Sequence, residues 1–211
     1  MSGSGWLGVR LRPVVEADLA MFRRFLTEPG LIGPDWAGFR DAGAPARRFA
    51  ADGYLGADDG RLMVEVDCGR PDREPVDTGS DGAPDGQPDD PPPHAGGPGD
   101  DGRVAAGLVS YLAGSYGGSA RHWEIGIALL PEWRGRGVGW RAQAMLCDYL
   151  FSHTPVQRVQ AGTQPENVAE QRALTRAGFQ FEGVVRSCEF RAGRWRDGYL
   201  YSRLRDDPSP W

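Results

Sequence analysis

A loop rich in glycine and arginine lies between a predicted strand and a predicted helix, and its residue types suit phosphate binding. Arg134, Gly137 and Gly139 form the pattern R-x-x-G-x-G, and Arg136 and Arg141 flank the glycines. A helix that begins here directs unpaired backbone N–H groups and the positive end of its dipole into the loop. Glycines let a phosphate approach the backbone, and arginines add charge-assisted donors. The pattern therefore predicts a pyrophosphate site.

Two familiar nucleotide-binding motifs fit the loop less well. All 24 Lys+Arg residues are Arg, so a Walker A loop, which requires Lys, is excluded. Gly137, Gly139 and Ala142 match the looser dinucleotide fingerprint. That fingerprint belongs to a first βαβ unit with an acidic residue about 20 residues later, which the predicted strand Arg158–Thr163 lacks. A turn that binds nothing would gain nothing from two extra arginines, which repel each other.

The strand before the loop carries the candidates for proton transfer. Alternation places Glu124 on the same face as the small residues Gly126 and Ala128. A carboxylate beside small residues leaves room for a substrate, so Glu124 is the candidate general base and His122 is the second choice. The alternative is that Glu124 is a solvated strand residue paired with an arginine.

Three segments of the chain occur in a familiar order: IALLPEWRGRGVGW, NVAEQRALTRAGF and FEGVVR. Together they resemble the GNAT superfamily of acetyl-CoA-dependent N-acetyltransferases, in particular its RimJ/RimL-like branch. The resemblance covers Gly8 to Leu204 apart from one insert. Each half of the pattern is weak alone, whereas the R-x-x-G-x-G loop followed by N-x6-L-x3-GF is specific in combination.

The resemblance implies acetyl-CoA as co-substrate, no metal, and direct attack of an amine on the thioester without a covalent acyl-enzyme. It also implies that the pantetheine arm lies beside the strand before the loop, almost as an extra strand, and that the loop holds the pyrophosphate. The implied cofactor-binding residues are Ile127, Ala128, Leu129, Arg134, Gly135, Arg136, Gly137, Val138, Gly139, Trp140 and Asn167.

The chain departs from its relatives at the proton donor. RimJ/RimL-like proteins tend to have Ser where this chain has Glu170, and other GNAT branches have Tyr where it has Leu174. Tyr199 is therefore the candidate acid, with Tyr201 and Ser187 as alternatives. Asn167 and Glu170 also match a helix capping box, N-x-x-E, so a purely structural role for Asn167 remains open.

The apolar periodicity predicts the order β-α-α-β-insert-β-β-α-β-α-β-β, which is mixed α+β with parallel character near the middle. The GNAT resemblance implies one twisted, mostly antiparallel sheet of about seven strands, flanked by about four helices and splayed at the central strands. The central helix is expected to bury a stripe that includes Met145 and Tyr149. The predicted elements are Gly8–Pro13, Glu16–Leu26, Pro45–Ala51, Arg61–Val66, Val104–Leu112, His122–Leu130, a helix after Gly139, Arg158–Thr163, Asn167–Ala177, Phe179–Arg186 and Trp195–Tyr201.

Two less regular segments complete the chain. The Gly- and Pro-rich stretch after the first helix carries Trp36 and Phe39, which either cap the core or line an acceptor pocket. Residues 69–101 contain nine acidic residues, two Arg and eight Pro, and too few apolar side chains to offset the entropy of ordering. We therefore expect a single domain over residues 1–211 with a disordered acidic insert at 69–101.

The composition of the chain limits the classes of partner that we expect it to bind. The net charge is −5, but the insert carries −7, so the rest is close to neutral and offers no general basic surface for nucleic acid. No membrane-spanning run or signal sequence is evident, and a cytoplasmic protein is expected. The expected function is acetyl transfer to a primary amine, either a peptide N-terminus or a small amino compound; the alternative is a non-catalytic CoA-binding protein of the same fold. A homodimer and a monomer both remain open.

Overall fold

The computed structural model describes residues 8–32, 36, 38–67 and 102–211. The insert 69–101 lies outside this part of the chain, as does Cys68. The strands are β1 (Val9–Pro13), β2 (Asp59–Asp67), β3 (Arg103–Ser115), β4 (Arg121–Leu129), β5 (Arg158–Thr163), β6 (Gln180–Arg191) and β7 (Arg194–Leu204). The helices are α1 (Leu19–Thr27), α2 (Pro29–Ile32), α3 (Ala44–Asp52), α4 (Val138–His153) and α5 (Val168–Arg176).

All seven strands form one sheet in the order β1-β2-β3-β4-β5-β7-β6. Every neighbouring pair is antiparallel except β4 and β5, which are parallel. Their register contains only two residue pairs, Trp123 with Val159 and Glu124 with Gln160. The sheet is therefore splayed beyond Glu124, and the predicted α+β fold is confirmed.

Helices cover both faces of the sheet. On one face, α4 and α5 pack against a core that includes Val109, Leu146 and Leu174. On the other face, α1, α2 and α3 pack over a second cluster that includes Phe22 and Met63. The alternating side chains of β2, β3 and β4 supply both cores, which explains why these strands are largely apolar. Nowhere in the described ranges is a helix long and apolar enough to span a membrane.

The structure corrects three details of the helix predictions. Glu16–Asp18 forms a 3₁₀ turn, and the α-helix begins only at Leu19. Pro29 does not end the helical region but opens α2, because a proline is well accommodated in the first turn of a helix. The predicted stripe of α4 is wrong at Tyr149, which is 40% exposed. Cys147 and Ala144 are buried instead, since small residues bring the helix closer to the sheet.

Candidate functional site

The predicted phosphate loop lies between the end of β4 and the start of α4. Pro131–Trp133 forms a 3₁₀ turn, and Gly135 and Gly137 follow with φ of +71° and +78°. Gly137 is the N-cap of α4, and its left-handed backbone turns the chain into the helix. An L residue is strained in this conformation, so the glycine is a geometric requirement. The first N–H groups of α4 have no carbonyl partner within the helix and are directed into the loop.

Arg134 fastens the loop to two other parts of the chain. Its Nε donates to the carbonyl oxygen of Leu129 at 3.0 Å, and its Nη2 donates to the carbonyl oxygen of Leu31 in α2. Arg134 thus links the end of β4 to α2 and positions the loop. Its contact with a phosphate, predicted from the sequence, stays a prediction.

Two further arginines, Arg141 and Arg176, flank Trp140, which is 8% exposed. Arg141 donates to the carbonyl oxygen of Gly137 at 3.1 Å, and its guanidinium lies 4.6 Å from the Trp140 ring centre. Arg176 of α5 lies 4.8 Å from the same ring. Arg136, by contrast, lies over the Trp133 ring. Two cations near one indole raise the positive potential beside the N-terminus of α4.

The indole nitrogen of Trp140 is a donor without an acceptor among the described residues. A Cβ added to Gly137 would lie 3.2 Å from Trp140 Nε1, so this donor lies directly against the loop. A buried N–H that lacks a partner carries a desolvation cost and is rare in folded proteins. A phosphate oxygen in the loop would supply the acceptor, and the residues present therefore fit the pyrophosphate of a CoA molecule.

The strand segment Ile127–Leu129 pairs with β3 but lies beyond the last β4–β5 pair. Its backbone edge on the β5 side is therefore open to an extended ligand. Ile127 and Leu129 pack against the α4 core, whereas Ala128 faces the opposite side. Gly107 of β3 permits this arrangement, because a Cβ there would lie 2.1 Å from the carbonyl oxygen of Ala128.

Asn167 caps α5, as the sequence suggested. Its side-chain oxygen accepts a hydrogen bond from the backbone N–H of Glu170 at 3.2 Å. Leu174, where the resemblance led us to look for a proton donor, is fully buried in the core between α5 and the sheet. Leu174 is thus a packing residue in this chain.

Glu124 is exposed on the face opposite to α4, with Leu112 of β3 and Gln160 of β5 as its cross-strand neighbours. His122 lies on the same face but is buried, and its ring stacks on Tyr116 at 4.6 Å. Burial lowers the pKa of His122, with a smaller contribution of the same sign from Arg158 that Glu124 opposes. Access favours Glu124 over His122 as the group that meets a substrate.

The candidate acids lie elsewhere. Tyr199 is half-buried on β7, next to the ring of Phe181, and its pairing with Thr163 places it on the α4–α5 face. Tyr201 on the same face is buried, and burial raises its pKa. Ser187 is exposed in an irregular part of β6. Glu124 and Tyr199 therefore lie on opposite faces and can meet a common ligand only through the gap between β4 and β5.

A cavity of about 240 Å³ opens on the Glu124 face, between α1, α2 and strands β2 to β4. Trp36 lines it, whereas Phe39 is 77% exposed and only contacts the edge of Trp36. The role of either residue in an acceptor pocket stays a prediction. Phe39 is absent from the lining because most of its side chain faces solvent. Sequence reasoning missed the other members of the lining: Phe22, Phe25, Leu26, Ile32, Gly38, Arg40, Arg61, Leu108, Ser110 and Ala128. Of these residues, only Ala128 could have been identified from the sequence, because alternation along the strand places it on the same face as Glu124.

Comparison with known proteins supports the resemblance. Residues 99–180 match the family model described as an acetyltransferase (GNAT) domain, which agrees with the predicted resemblance over that segment. The probable N-acetyltransferase YjcK of Bacillus subtilis (strain 168) is 32% identical over 83 residues, which is 39% of this chain and 46% of YjcK. The [ribosomal protein uS5]-alanine N-acetyltransferase of Escherichia coli (strain K12) is 27% identical over 93 residues, 44% of this chain and 48% of that protein. The matches thus span about half the length of these curated relatives.

Solved structures extend the similarity to the whole fold. The spermidine N-acetyltransferase of Vibrio cholerae in complex with CoA and spermine has a TM-score of 0.68 at 16% identity, covering 94% of this chain and 96% of that one. Mycobacterium smegmatis RimJ in complex with CoA-disulfide has a TM-score of 0.64 at 20% identity, covering 98% and 92%. At these identities the likeness establishes the fold and leaves the RimJ/RimL-like branch a prediction.

Proposed function

We propose that this protein is a GNAT N-acetyltransferase that moves an acetyl group from acetyl-CoA to a primary amine. The observation that carries the proposal is the separation of β4 from β5 immediately before a glycine loop that caps α4. This combination offers an open backbone edge for the pantetheine arm and a cluster of N–H donors for the pyrophosphate, in consecutive parts of one segment. The GNAT match over residues 99–180 supports it independently.

In this proposal the chain contributes mainly by positioning. Backbone groups of Ile127 to Leu129 hold the arm, and the N–H groups after Gly137 hold the pyrophosphate together with Trp140 Nε1. The thioester then lies near Gly126, where backbone donors can stabilise the negative charge that develops on its oxygen. Asn167 contacts the arm from the α5 side while it caps its helix.

The amine nitrogen attacks the thioester carbon, a C–N bond forms, and the C–S bond breaks to release the CoA thiolate. Glu124 accepts the proton lost by the amine, directly or through water, and Tyr199 is the proposed donor of a proton to the thiolate. The help needed from the base depends on the acceptor. Deprotonation at pH 7 costs about 4.6 kcal/mol for an alkyl amine with a pKa near 10.4 and about 1.1 kcal/mol for a peptide α-amine near 7.8.

One observation favours a second candidate, a CoA-binding protein without turnover. The usual acid positions hold Glu170 and a fully buried Leu174, and Tyr201 is buried in the core. A protein that had lost its catalytic activity could keep the same glycine loop before α4 and the same cap of α5. The two candidates share the cofactor site and differ in whether any amine is consumed.

Thiol release from acetyl-CoA with a panel of amines distinguishes them, alongside calorimetric titration with CoA. Amine-dependent thiol release together with the N-acetylated product by mass spectrometry would support the transferase. CoA binding without turnover on every amine would favour the second candidate. Absence of CoA binding would overturn both. We further propose a cytoplasmic location and membership of the RimJ/RimL-like branch.

A further inference from the structure

The cavity beside Ala128 contains two arginines whose charge the proposed reaction does not use. Arg61 of β2 and Arg40 line it together with Ser110 and Trp36. We propose that the acceptor amine carries a carboxylate, as an α-amino acid does, and that Arg61 and Arg40 bind this carboxylate while the amine points toward β4. This inference rests on the proposed acetyl transfer and specifies the substrate class of the same site.

The register of the sheet aligns the cavity with the site of transfer. Arg61 is paired with Ser110 on β3, and Ser110 is paired with Gly126 on β4. These three residues form one row across the face that also carries Ala128 and Glu124. Two strand spacings separate Arg61 from Gly126, roughly 10 Å. An arginine side chain extending along this row can hold one end of a small molecule whose other end reaches the backbone near Gly126.

The four acidic side chains between Arg40 and Arg61 in the sequence are paired with other arginines. Asp52 and Asp59 both accept from Arg48. Asp58 accepts from Arg121, and Asp41 accepts from Arg47. Within the part of the chain that the structure describes, no carboxylate forms an ion pair with Arg61 or Arg40, and none lines the cavity.

Arg61 is held by aromatic rings in place of an acid. Its guanidinium lies 5.3 Å from the ring centre of Tyr54 and 5.7 Å from that of Phe22. Cation–π contacts orient the group and leave N–H donors available at the ring edges. A half-buried guanidinium with available donors matches the planar, bidentate geometry of a carboxylate.

The remaining lining residues set the size of the cavity and the kind of ligand that it favours. Phe22, Phe25 and Leu26 from α1 make the wall apolar, and the volume of about 240 Å³ suits a small molecule or a chain end. The same two arginines oppose a polycation, because bringing like charges together in a partly enclosed site is costly. The cavity thus disfavours the kind of ligand seen in the Vibrio cholerae structure, which holds spermine.

A matched amine series tests the proposal on the full-length enzyme. L-Phenylalanine, L-phenylalaninamide and spermidine are compared by thiol release at equal concentrations of free base. We expect kcat/KM for the carboxylate to exceed that of the amide by about 10-fold, and spermidine to be the poorest acceptor. Peptides that begin with Glu or Gln show whether the carboxylate belongs to a free amino acid or to an acidic chain end. Preference for the amide or for spermidine would overturn the inference.

The variant Arg61→Gln tests whether Arg61 binds the carboxylate of the acceptor or only supports the fold. It should lower kcat/KM for the carboxylate about 10-fold more than for the amide, and Arg61→Lys should recover part of the difference. Arg23→Gln, an exposed arginine on the outer side of α1, is the matched control and should preserve the ratio. An equal loss on both acceptors would show that Arg61 only supports the fold, and the inference would be wrong.

Binding measured without turnover separates this inference from the proposed function. With CoA at saturation, L-phenylalanine should raise the melting temperature of the parent protein and not that of Arg61→Gln. If no amine is acetylated but this stabilisation appears, the transferase proposal fails and the charge assignment holds. If amines are acetylated equally well with and without a carboxylate, the proposed acetyl transfer is supported and the proposed carboxylate binding by the arginines is wrong. No turnover and no stabilisation would overturn both.

Discussion

The loop before α4 and the cavity proposed to bind the acceptor differ in how the chain builds them. The loop is made of consecutive residues, from Arg134 to Arg141, and its geometry follows from two glycines and one helix start. The cavity draws on α1, α2, the segment around Trp36 and three strands, which meet only after the sheet has formed. The proposed donor side is therefore a local property of the sequence, and the proposed acceptor side is a property of the fold.

Their arginines differ in the same way. In the loop, Arg134 and Arg141 donate to backbone carbonyls, so much of their hydrogen-bonding capacity maintains the shape of the site. In the cavity, Arg61 is oriented by aromatic rings. A guanidinium near a site is thus informative only once its partners are known. The loop arginines that looked most functional in the sequence are partly structural, whereas the proposed carboxylate-binding residue, Arg61, was overlooked there.

Gly137→Val should give the largest effect and abolish the donor side alone. A β-branched residue at φ of +78° is strained, and its side chain would enter the space between Trp140 Nε1 and Arg141. We expect calorimetry to show at least about 100-fold weaker acetyl-CoA binding. The strain itself is of order 1–3 kcal/mol, so the domain should still fold.

Gly193→Val is the matched control for Gly137→Val, because Gly193 has the same φ of +78° in the β6–β7 turn with open space around it. It should cost similar stability and leave acetyl-CoA affinity unchanged. Unchanged affinity in Gly137→Val would refute the phosphate-loop assignment.

Glu124→Gln should disable the acceptor side while the donor side stays intact. The carboxylate is replaced by a group that cannot take a proton, and general-base catalysis contributes about 10²–10⁴-fold. We expect kcat/KM for an alkyl amine to fall within this range and acetyl-CoA affinity to stay constant, with a smaller loss for an acceptor whose amine has a lower pKa. Glu16→Gln, an exposed residue remote from β4, serves as control. Full activity on every acceptor would remove Glu124 from the mechanism.

Trp140→Phe should have a moderate effect on CoA binding and little effect on stability. The variant keeps a ring near Arg141 and Arg176 but removes the indole donor, which has no acceptor among the described residues of the free protein. Loss of a hydrogen bond to a charged phosphate should weaken CoA binding about 10-fold. The free protein should lose little stability, since removal of an unsatisfied buried donor offsets the smaller ring. Trp195→Phe, on an exposed tryptophan, should change neither.

Glu182→Gln should have the smallest effect and should change neither acetyl-CoA binding nor acceptor binding. Hydrogen bonds from Arg158 lower the pKa of Glu182 from 4.5 to about 2. A depressed carboxyl pKa stabilises the fold above pH 4.5, and this contribution is lost as pH falls from 4.5 toward about 2. The side chain is 36% exposed, so solvent screening limits the effect to under about 1 kcal/mol.

Thermal unfolding at several pH values checks this expectation. Glu182→Gln should lower the melting temperature by about 2 °C at pH 7 and flatten the acid decline. Glu28→Gln, which breaks the more exposed pair with Arg24, should leave the decline as it is. An acid decline unchanged by Glu182→Gln would contradict the assignment, and a loss of acetyl-CoA affinity would show that β5 to β7 and the cofactor site are coupled.

Local patterns predicted most of the fold because most of its elements follow local rules. The strand Arg158–Thr163 was predicted with the observed bounds, and the cap at Asn167 was recognised from its spacing to Glu170. Tyr149 was misplaced because periodicity alone does not say how closely a helix approaches a sheet. Small residues decide that distance, and their effect emerges only when α4 packs.

The candidate site was predictable to the extent that it is contiguous. Gly137 and its neighbours carry their own signal, whereas Arg61 was only the polar member of an alternating strand. Its importance depends on Ser110 and Gly126 being aligned with it across β2, β3 and β4, which requires the register of two strand pairs. The sequence analysis named Trp140 only as one of the implied cofactor-binding residues, and the lack of an acceptor for its indole nitrogen among the described residues became visible only in three dimensions.

The two-pair junction of β4 and β5 gives this sheet an internal edge as well as its two outer ones. An exposed edge ordinarily invites another chain to add a strand, which is a hazard for aggregation. Here α4 packs on β4, α5 packs on β5, and the two helices contact each other, so helices line one face of the notch and strands flank it. A whole β-sheet partner has no room to dock in such a notch, whereas a single narrow chain does. The sheet thereby keeps unpaired backbone N–H and C=O groups at its centre without offering them to a strand of another protein.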